Sequence, residues 1–488
     1  MEGVNRKWYS GMATNEDWWA VWLGLILFAA GLFSIGRIDL VGWMVETSVW
    51  TWGDFSFSNA LDVTRYEGWH PLAGLLMAYV VFTALTCLGA WSMKFNVRRF
   101  WAGWTVLFVL AWACWIIGHE AHFAVPVNAW DEHGLTWGLS LGGGFSYILA
   151  LAVGLIIGNF IKPLAGFLHE AAKPEWFIKT AIVYLGIKVG VKSMDAADKT
   201  LELALAGAAA VFVAYLLFWP IVYALGRRAF RLPRDAAAVL SSGISICGVS
   251  AAIATAGAIR ARPVLPVMVS MLIVIFAMIE LVVLPGFYTW VAPDQPIVNG
   301  AAMGMTVKTD GADAAAGAFL EELMRSSAAA RGTHWEPGWI VTSAIMTKIW
   351  IDMFIGLWAF LLAIVWVRKV EHQPGRSHVG PSEIWHRFPK FVIGYLITWF
   401  AYLAILAFLP EFTAAAKPGA EVVEGPMRKM MFMLTFVSIG TITDFSKLKG
   451  MGRLALLYAV ALFVIIAPLA YFIAWLFHRG MMPPTVGG

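Results

Sequence analysis

The sequence predicts an all-α polytopic membrane protein, and three observations carry that prediction. Of 488 residues, 60% are hydrophobic and only 14% charged, whereas charged residues make up about 25% of ordinary soluble domains. Mean hydropathy is +0.72, and the apolar residues fall into about thirteen separate runs of roughly 20 residues, the length that crosses a bilayer as a helix. The 26 Trp residues suit aromatic belts at two membrane–water interfaces. A soluble protein is excluded. Cys87, Cys114 and Cys247 all lie inside apolar runs, so neither a disulfide framework nor a CxxC metal site is present. No nucleotide loop, dinucleotide fingerprint or nucleic-acid module occurs, so no cofactor and no nucleic-acid partner is expected.

In chain order the expected spans are 17–36, 71–93, 100–118, 137–161, 177–191, 202–225, 236–259, 264–290, 298–322, 338–367, 391–410, 428–446 and 454–477. The first follows Arg6 and Lys7, is long and lacks a small-residue cleavage site, so it reads as an anchor. Basic residues follow alternate spans: Lys94, Arg98 and Arg99; Arg227, Arg228, Arg231 and Arg234; Arg368, Lys369, Arg376, Arg387 and Lys390; Lys447, Lys449 and Arg453. If every span crosses, all four clusters share one side. The positive-inside rule makes it the cytoplasm, with the N-terminus inside and the C-terminus outside. Two spans are weak. The fifth holds Lys179 and Lys188. The ninth, NGAAMGMTVKTDGADAAAGAFLEEL, holds Lys308, Asp310 and Asp313, which together cost on the order of 9 kcal/mol at a helix centre. It is kept as a crossing because its removal would leave an even number of crossings and spoil the charge asymmetry beyond it.

The seventh span contains SSGISICGVS, residues 241–250, with four serines and two glycines. Gly lowers helix propensity by about 1 kcal/mol against Ala, and Ser hydroxyls compete for backbone groups. Lipid offers no hydrogen-bond partners, so a broken helix there requires a surround of protein or a water-filled cavity. The plainer alternative is close helix packing through small residues. Beyond the first three spans, ten remain, five in 137–290 and five in 298–477, and the fourth of the second five carries TFVSIGTITDFS, residues 435–446. Matched interruptions in two halves are the sequence sign of an inverted-repeat transporter. The expected organisation is an N-terminal three-helix extension (1–130), a first five-helix repeat (131–292) and a second, inverted one (293–488, with a cytoplasmic loop near 369–389). The broken helices would cross at the midplane. An unduplicated ten-helix bundle is the alternative.

SSGISICGVSAAIATAGAI, with FPKFVIGYL at 388–396, SIGTITDFSKLKGMG at 438–452 and GLIIGN at 154–159, resembles the YeiH-like sulfate exporter family of bacterial inner-membrane proteins. The likeness covers about 137–478. It implies ten core helices in two inverted halves and the outward movement of sulfate or a related sulfonate-derived anion. In TVKTDGADAAAG, Lys308 stands where that family usually has His, Thr309 where it has an acid and Ala312 where it has Gln.

A half-helix that starts after a break presents free N–H groups and a positive dipole end to an anion. Ser242, Ser245, Cys247, Gly248 and Ser250 with Ser438, Gly440, Thr441, Thr443 and Lys308 are therefore the expected anion-binding residues. For any single hydroxyl the alternative is a bond back to its own helix. Asp310, Asp313, Glu280, Lys348 and Asp352 are the expected ion-coupling residues, with H+ or Na+ as the ion. Lys348 and Asp352, four apart on one helix face, could equally neutralise each other. The reading is a non-enzymatic secondary transporter of a small anion; a homodimer is admitted but not required. The rivals are a channel or structural subunit, and an intramembrane metalloenzyme built on His119, Glu120 and His122. The two histidines of that cluster are three apart, not four as in the HExxH zinc helix.

Overall fold

The computed structural model describes residues 11–125, 129–139, 143–195, 197–259, 261–262, 264–366, 390–448 and 452–486. The expected basic loop at 369–389 lies outside them, as do the side chains of Ser250 and Asp310. Among the described residues the chain is almost wholly helical, as composition required; one two-stranded antiparallel ribbon pairs Val45–Thr47 with Leu61–Val63.

Helices α1 (Glu16–Leu32), α2 (Pro71–Ser92) and α3 (Val97–Gly118) fall where hydropathy put them. Asn15 and Asn96 cap the first and third, and Pro71 opens the second at a position where a missing N–H costs nothing. Helix α4 (Gly144–Phe160) bends by 113° into the short α5 (Lys162–Leu168). Then come α6 (Pro174–Asp195), α7 (Ala197–Arg228), α8 (Arg234–Ser245), α9 (Val249–Ala258) and α10 (Val264–Val291). They are followed by α11 (Pro296–Thr306), α12 (Asp310–Ala329), α13 (Trp339–Met353) and α14 (Ile355–Trp366). The chain closes with α15 (Phe391–Phe408), α16 (Thr413–Val422), α17 (Arg428–Ile442), α18 (Gly452–Ala459) and α19 (Ala467–His478). Among the described residues, five stretches are single helices long and apolar enough to cross a membrane: Glu16–Gly36, Pro71–Ser92, Val97–Gly118, Asp198–Arg228 and Gly452–His478. Two bent pairs raise that to seven.

The seventh and ninth expected spans do not cross; each folds back on itself. In the seventh, α8 and α9 are 12 and 10 residues long, about 18 and 15 Å, or half of a bilayer core. Thr255 on α9 donates to Ser242 on α8 at 2.7 Å, and Arg262 after α9 pairs with Asp235 at the start of α8 at 2.7 Å. A straight helix would hold those charges far apart. In the ninth, the Asn299 amide on α11 reaches the sulfur of Met324 on α12 at 3.4 Å, and Arg331 beyond α12 meets Asp294 before α11 at 3.4 Å. Two re-entrant hairpins result, with tips at 246–248 and 307–309. Between their open ends runs α10, 28 residues long and so about 42 Å; the hairpins therefore enter from opposite ends of the bundle. This also resolves the parity problem. Removing one crossing would have reversed every later loop, but removing two restores the alternation.

The expected interruption at 435–446 is a correction. Helix α17 runs unbroken to Ile442. Its hydroxyls bond back to the preceding turn, Thr435 to Met431 O at 2.7 Å, Thr441 to Val437 O at 2.8 Å and Thr443 to Ile439 O at 2.6 Å. Gly440 lets α4 approach, for a Cβ there would lie 2.6 Å from the carbonyl oxygen of Leu151. Small residues serve packing here, as they do between membrane helices generally.

The helices form two groups. In one, α4 and α6 pack on α17, α6 on α15 and α1, and α3 on α4. In the other, α7, both hairpins, α10, α13 and α19 pack together. The long hairpin arm α12 bridges them by lying against α4, α6 and α17.

Candidate functional site

The two hairpin tips meet. Gly248 has φ 65° and ψ −121°, a region closed to side chains, and a Cβ on it would overlap the carbonyl oxygen of Lys308. Glycine is thus required twice, for the turn and for the approach. Around this contact lie the buried side chains of Glu280, Lys308, Asp313, Lys348 and Asp352.

Hairpin one is held by Ser242. Its hydroxyl accepts from Trp219 Nε1 at 2.9 Å and from Thr255 at 2.7 Å, tying α7, α8 and α9 to one oxygen. Ser245, at the end of α8, is buried and its hydroxyl has no hydrogen-bond partner among the described residues. Cys247 sits in the tip and is buried close to Lys308.

Hairpin two is held by charge. Glu280, midway along α10, accepts the backbone N–H of Lys308 at 3.2 Å. Its other oxygen has no geometric hydrogen bond, and the Tyr458 hydroxyl lies beside the carboxyl. Lys308 is fully buried, donates from Nζ to the Met305 carbonyl, and holds that ammonium 5.6 Å from the centre of the Phe218 ring. Lys348 reaches across from α13 to the Val307 carbonyl at 3.2 Å. Thr309 caps α12 by accepting from the Ala312 N–H at 3.1 Å, and Asp313 lies one turn on, near Lys308 and Glu280. Asp352, one turn past Lys348, is buried near Tyr215.

The structure thus gathers Ser242, Ser245, Cys247, Gly248, Lys308, Glu280, Asp313, Lys348 and Asp352 at or beside the crossing. Gly440, Thr441 and Thr443 lie instead against α4, and Ser438 is buried on α17 with no side-chain hydrogen bond among the described residues. Hairpin one was paired with the wrong segment, because its true partner carries its signal in charge rather than in serine and glycine. Thr255, Trp219 and Tyr458 were missed. Thr255 lies in the family-like run, whereas the other two are ordinary belt aromatics in sequence.

The His119 cluster forms part of the packing at the end of α3. Burial, with Lys429 nearby, pushes the His119 imidazole down to about 4, and its Nδ1 lies 3.0 Å from the Trp115 carbonyl. His122 Nδ1 is 2.7 Å from Glu120. No group of three or more metal-ligating side chains is found among the described residues.

Comparison with known proteins agrees with the fold. Residues 144–459 match the family model described as conserved hypothetical protein 698. A UPF0324 membrane protein of Nitrosomonas europaea is 65% identical over 487 residues, covering 100% of both chains. A UPF0324 membrane protein of Nitratidesulfovibrio vulgaris is 30% identical over 81% of this chain and 62% of its own. An uncharacterized protein of Archaeoglobus fulgidus is 45% identical over 169 residues, 30% of this chain and 90% of its own. No solved structure matches. The end-to-end likeness to the Nitrosomonas relative, together with the family match across both hairpins, means that this chain belongs to the UPF0324 family of multi-pass membrane proteins.

Proposed function

We propose that the protein is a secondary transporter that moves a small anion across the bacterial inner membrane by alternating access, without altering it chemically. The supporting observation is the meeting of two re-entrant hairpins, entering from opposite ends, beside five buried ionisable side chains. Interrupted backbone at that depth is tolerated where it lines a site, and it marks substrate and ion binding in transporters. Helices α9 and α12 both begin at the crossing with their positive dipole ends, α12 with its Ala312 N–H already capped by Thr309, and Lys308 and Lys348 add positive charge. An oxyanion suits that setting.

Sulfate or a sulfonate-derived anion, moved outwards with H+ or Na+ as the coupling ion, is the substrate class that the family-like motifs favour. Ser245, Cys247 and Gly248, with Lys308, are the contacts nearest the tips; Ser242 is a positioning residue. The division at 292 gives each proposed repeat one hairpin, and their opposite directions suit an inversion. They stand at different places within their halves, fourth element in one and first in the other. The ends carrying Arg227, Arg228 and Arg453 face the cytoplasm in this reading, by the positive-inside rule. That leaves the N-terminus inside and the C-terminus outside.

The test is counterflow of radiolabelled sulfate into proteoliposomes, preceded by a melting-temperature screen of oxyanions, sulfonates and small carboxylates. Saturable counterflow, and an anion-induced shift that Lys308→Ala abolishes, are expected. Flux linear in concentration, or a shift unchanged in Lys308→Ala, would overturn the proposal.

A further inference from the structure

We infer that the ammonium groups of Lys308 and Lys348 occupy the positions where a Na+ ion would bind at the crossing, so that this site works without a metal cation. The inference deepens the transporter reading and relies on it only for the idea of coupling.

A helix that stops in mid-membrane leaves its last carbonyls without intrahelical donors. Those oxygens sit at the negative end of the helix dipole, and in broken-helix transporters such ends coordinate Na+. At the end of α11, three carbonyls of this kind are answered from within the chain. Met303 O accepts the Val307 N–H at 2.9 Å. Met305 O accepts Lys308 Nζ, from the tip itself. Val307 O accepts Lys348 Nζ at 3.2 Å, from α13.

The corresponding end of α8 is closed by backbone alone. Ser242 O accepts the Ile246 N–H at 3.1 Å, and Gly243 O accepts the Gly248 N–H at 3.1 Å. A Na+ ion drawn to the Met305 or Val307 carbonyl would have to displace one buried ammonium and sit beside the other. Neither can retreat to water: Lys308 is fully buried with its charge over Phe218, and Lys348 is buried on α13.

The carboxylates supply the complementary half. Glu280 lies close enough to Lys308 and Lys348, and Asp313 to Lys308, to interact electrostatically, a setting that elsewhere would attract a metal cation and here is met by tethered ammonium. The coupling ion compatible with such a site is H+. The charged and titratable groups facing Glu280, among which a proton would be shared, are Lys308, Lys348, Asp313, Tyr288 and Tyr458.

The experiment uses the purified full-length chain, melted in NaCl or in choline chloride at matched ionic strength, with equilibrium binding of radioactive Na+ as a second readout. The wild type should show no saturable Na+-dependent shift and no stoichiometric binding. Lys308→Ala or Lys348→Ala, which vacates a carbonyl oxygen, should acquire both. If either alanine variant does not fold, Lys308→Asn or Lys348→Asn, which keeps a polar group at the position, takes its place. A saturable Na+ shift in the wild type, or folded variants that stay indifferent to Na+, overturns the inference. Na+-dependent anion counterflow by the wild type overturns it while the transporter reading survives. Indifference to Na+ in a wild type that catalyses no counterflow removes the transporter reading and leaves the cation assignment standing.

Discussion

Residues 241–250 and 435–446 are nearly alike as sequence, each a Ser/Thr/Gly-rich interruption of an apolar run, yet the chain breaks at the first and not at the second. Composition is therefore not what breaks a helix in this protein. In α17 the threonine hydroxyls return to carbonyls one turn back, and Gly440 is filled by the backbone of α4. At Gly248 the backbone adopts an angle only glycine takes, with another chain segment against it. The difference lies in what each glycine faces: a helix side in one case, a hairpin tip in the other.

The contrast can be pressed by mutation, most severely at the glycines. Gly248→Ala sets a Cβ against the Lys308 carbonyl at positive φ. Strain of about 1–3 kcal/mol adds to the displacement of the opposing tip, so anion-dependent stabilisation should vanish in size-exclusion-pure protein. Gly440→Ala overpacks α4 against α17 at about 1–3 kcal/mol; it should lower the melting temperature yet leave anion binding measurable. Equal loss of binding in both variants would erase the distinction.

The serines give the next largest effect. Ser242→Ala strands the Trp219 N–H and the Thr255 hydroxyl, at about 1–3 kcal/mol for each buried donor left unmet. Ser438 is buried and its hydroxyl has no hydrogen-bond partner among the described residues, so Ser438→Ala should be neutral or slightly stabilising. Thermal or denaturant melts of the two variants side by side measure this.

The smallest effect is at the basic end of α17. Ser446 donates to Asp444 at 2.7 Å and Lys162 pairs with it at 3.2 Å, holding its carboxyl down to about 2. A depressed folded pKa contributes stability above the unfolded value near 4. That contribution is lost as pH falls from about 4 to about 2, and Asp444→Asn should remove this part of the acid dependence. An unchanged acid limb in the variant would assign it to other carboxylates.

Much of the fold was legible in sequence, because hydrophobic length and helix caps are local: α1, α2 and α3 begin beside Asn15, His70 and Asn96, where a capping group can be read. The break at 246–248 was legible from serine and glycine. That it folds back was not, since a half-depth hairpin and a full span can share one length and hydropathy. Lys308, Asp310 and Asp313 did flag the second hairpin through their cost in lipid. Parity argues for a crossing there only if a single segment is re-entrant, and fails when two are. Trp219 and Tyr458 gave no signal, because their roles depend on distant residues brought beside Ser242 and Glu280.

Sidedness tests the central claim most directly. In a background with Cys87, Cys114 and Cys247 replaced by Ser or Ala, single cysteines at Arg234, Arg262, Asp294 and Arg331 can be labelled in oriented vesicles with a membrane-impermeant thiol reagent. Two re-entrant hairpins predict that 234 and 262 label from one face and that 294 and 331 label together from the other. Labelling of 234 and 262 from opposite faces would mean that this segment crosses the membrane, and the meeting of hairpin tips would be contradicted.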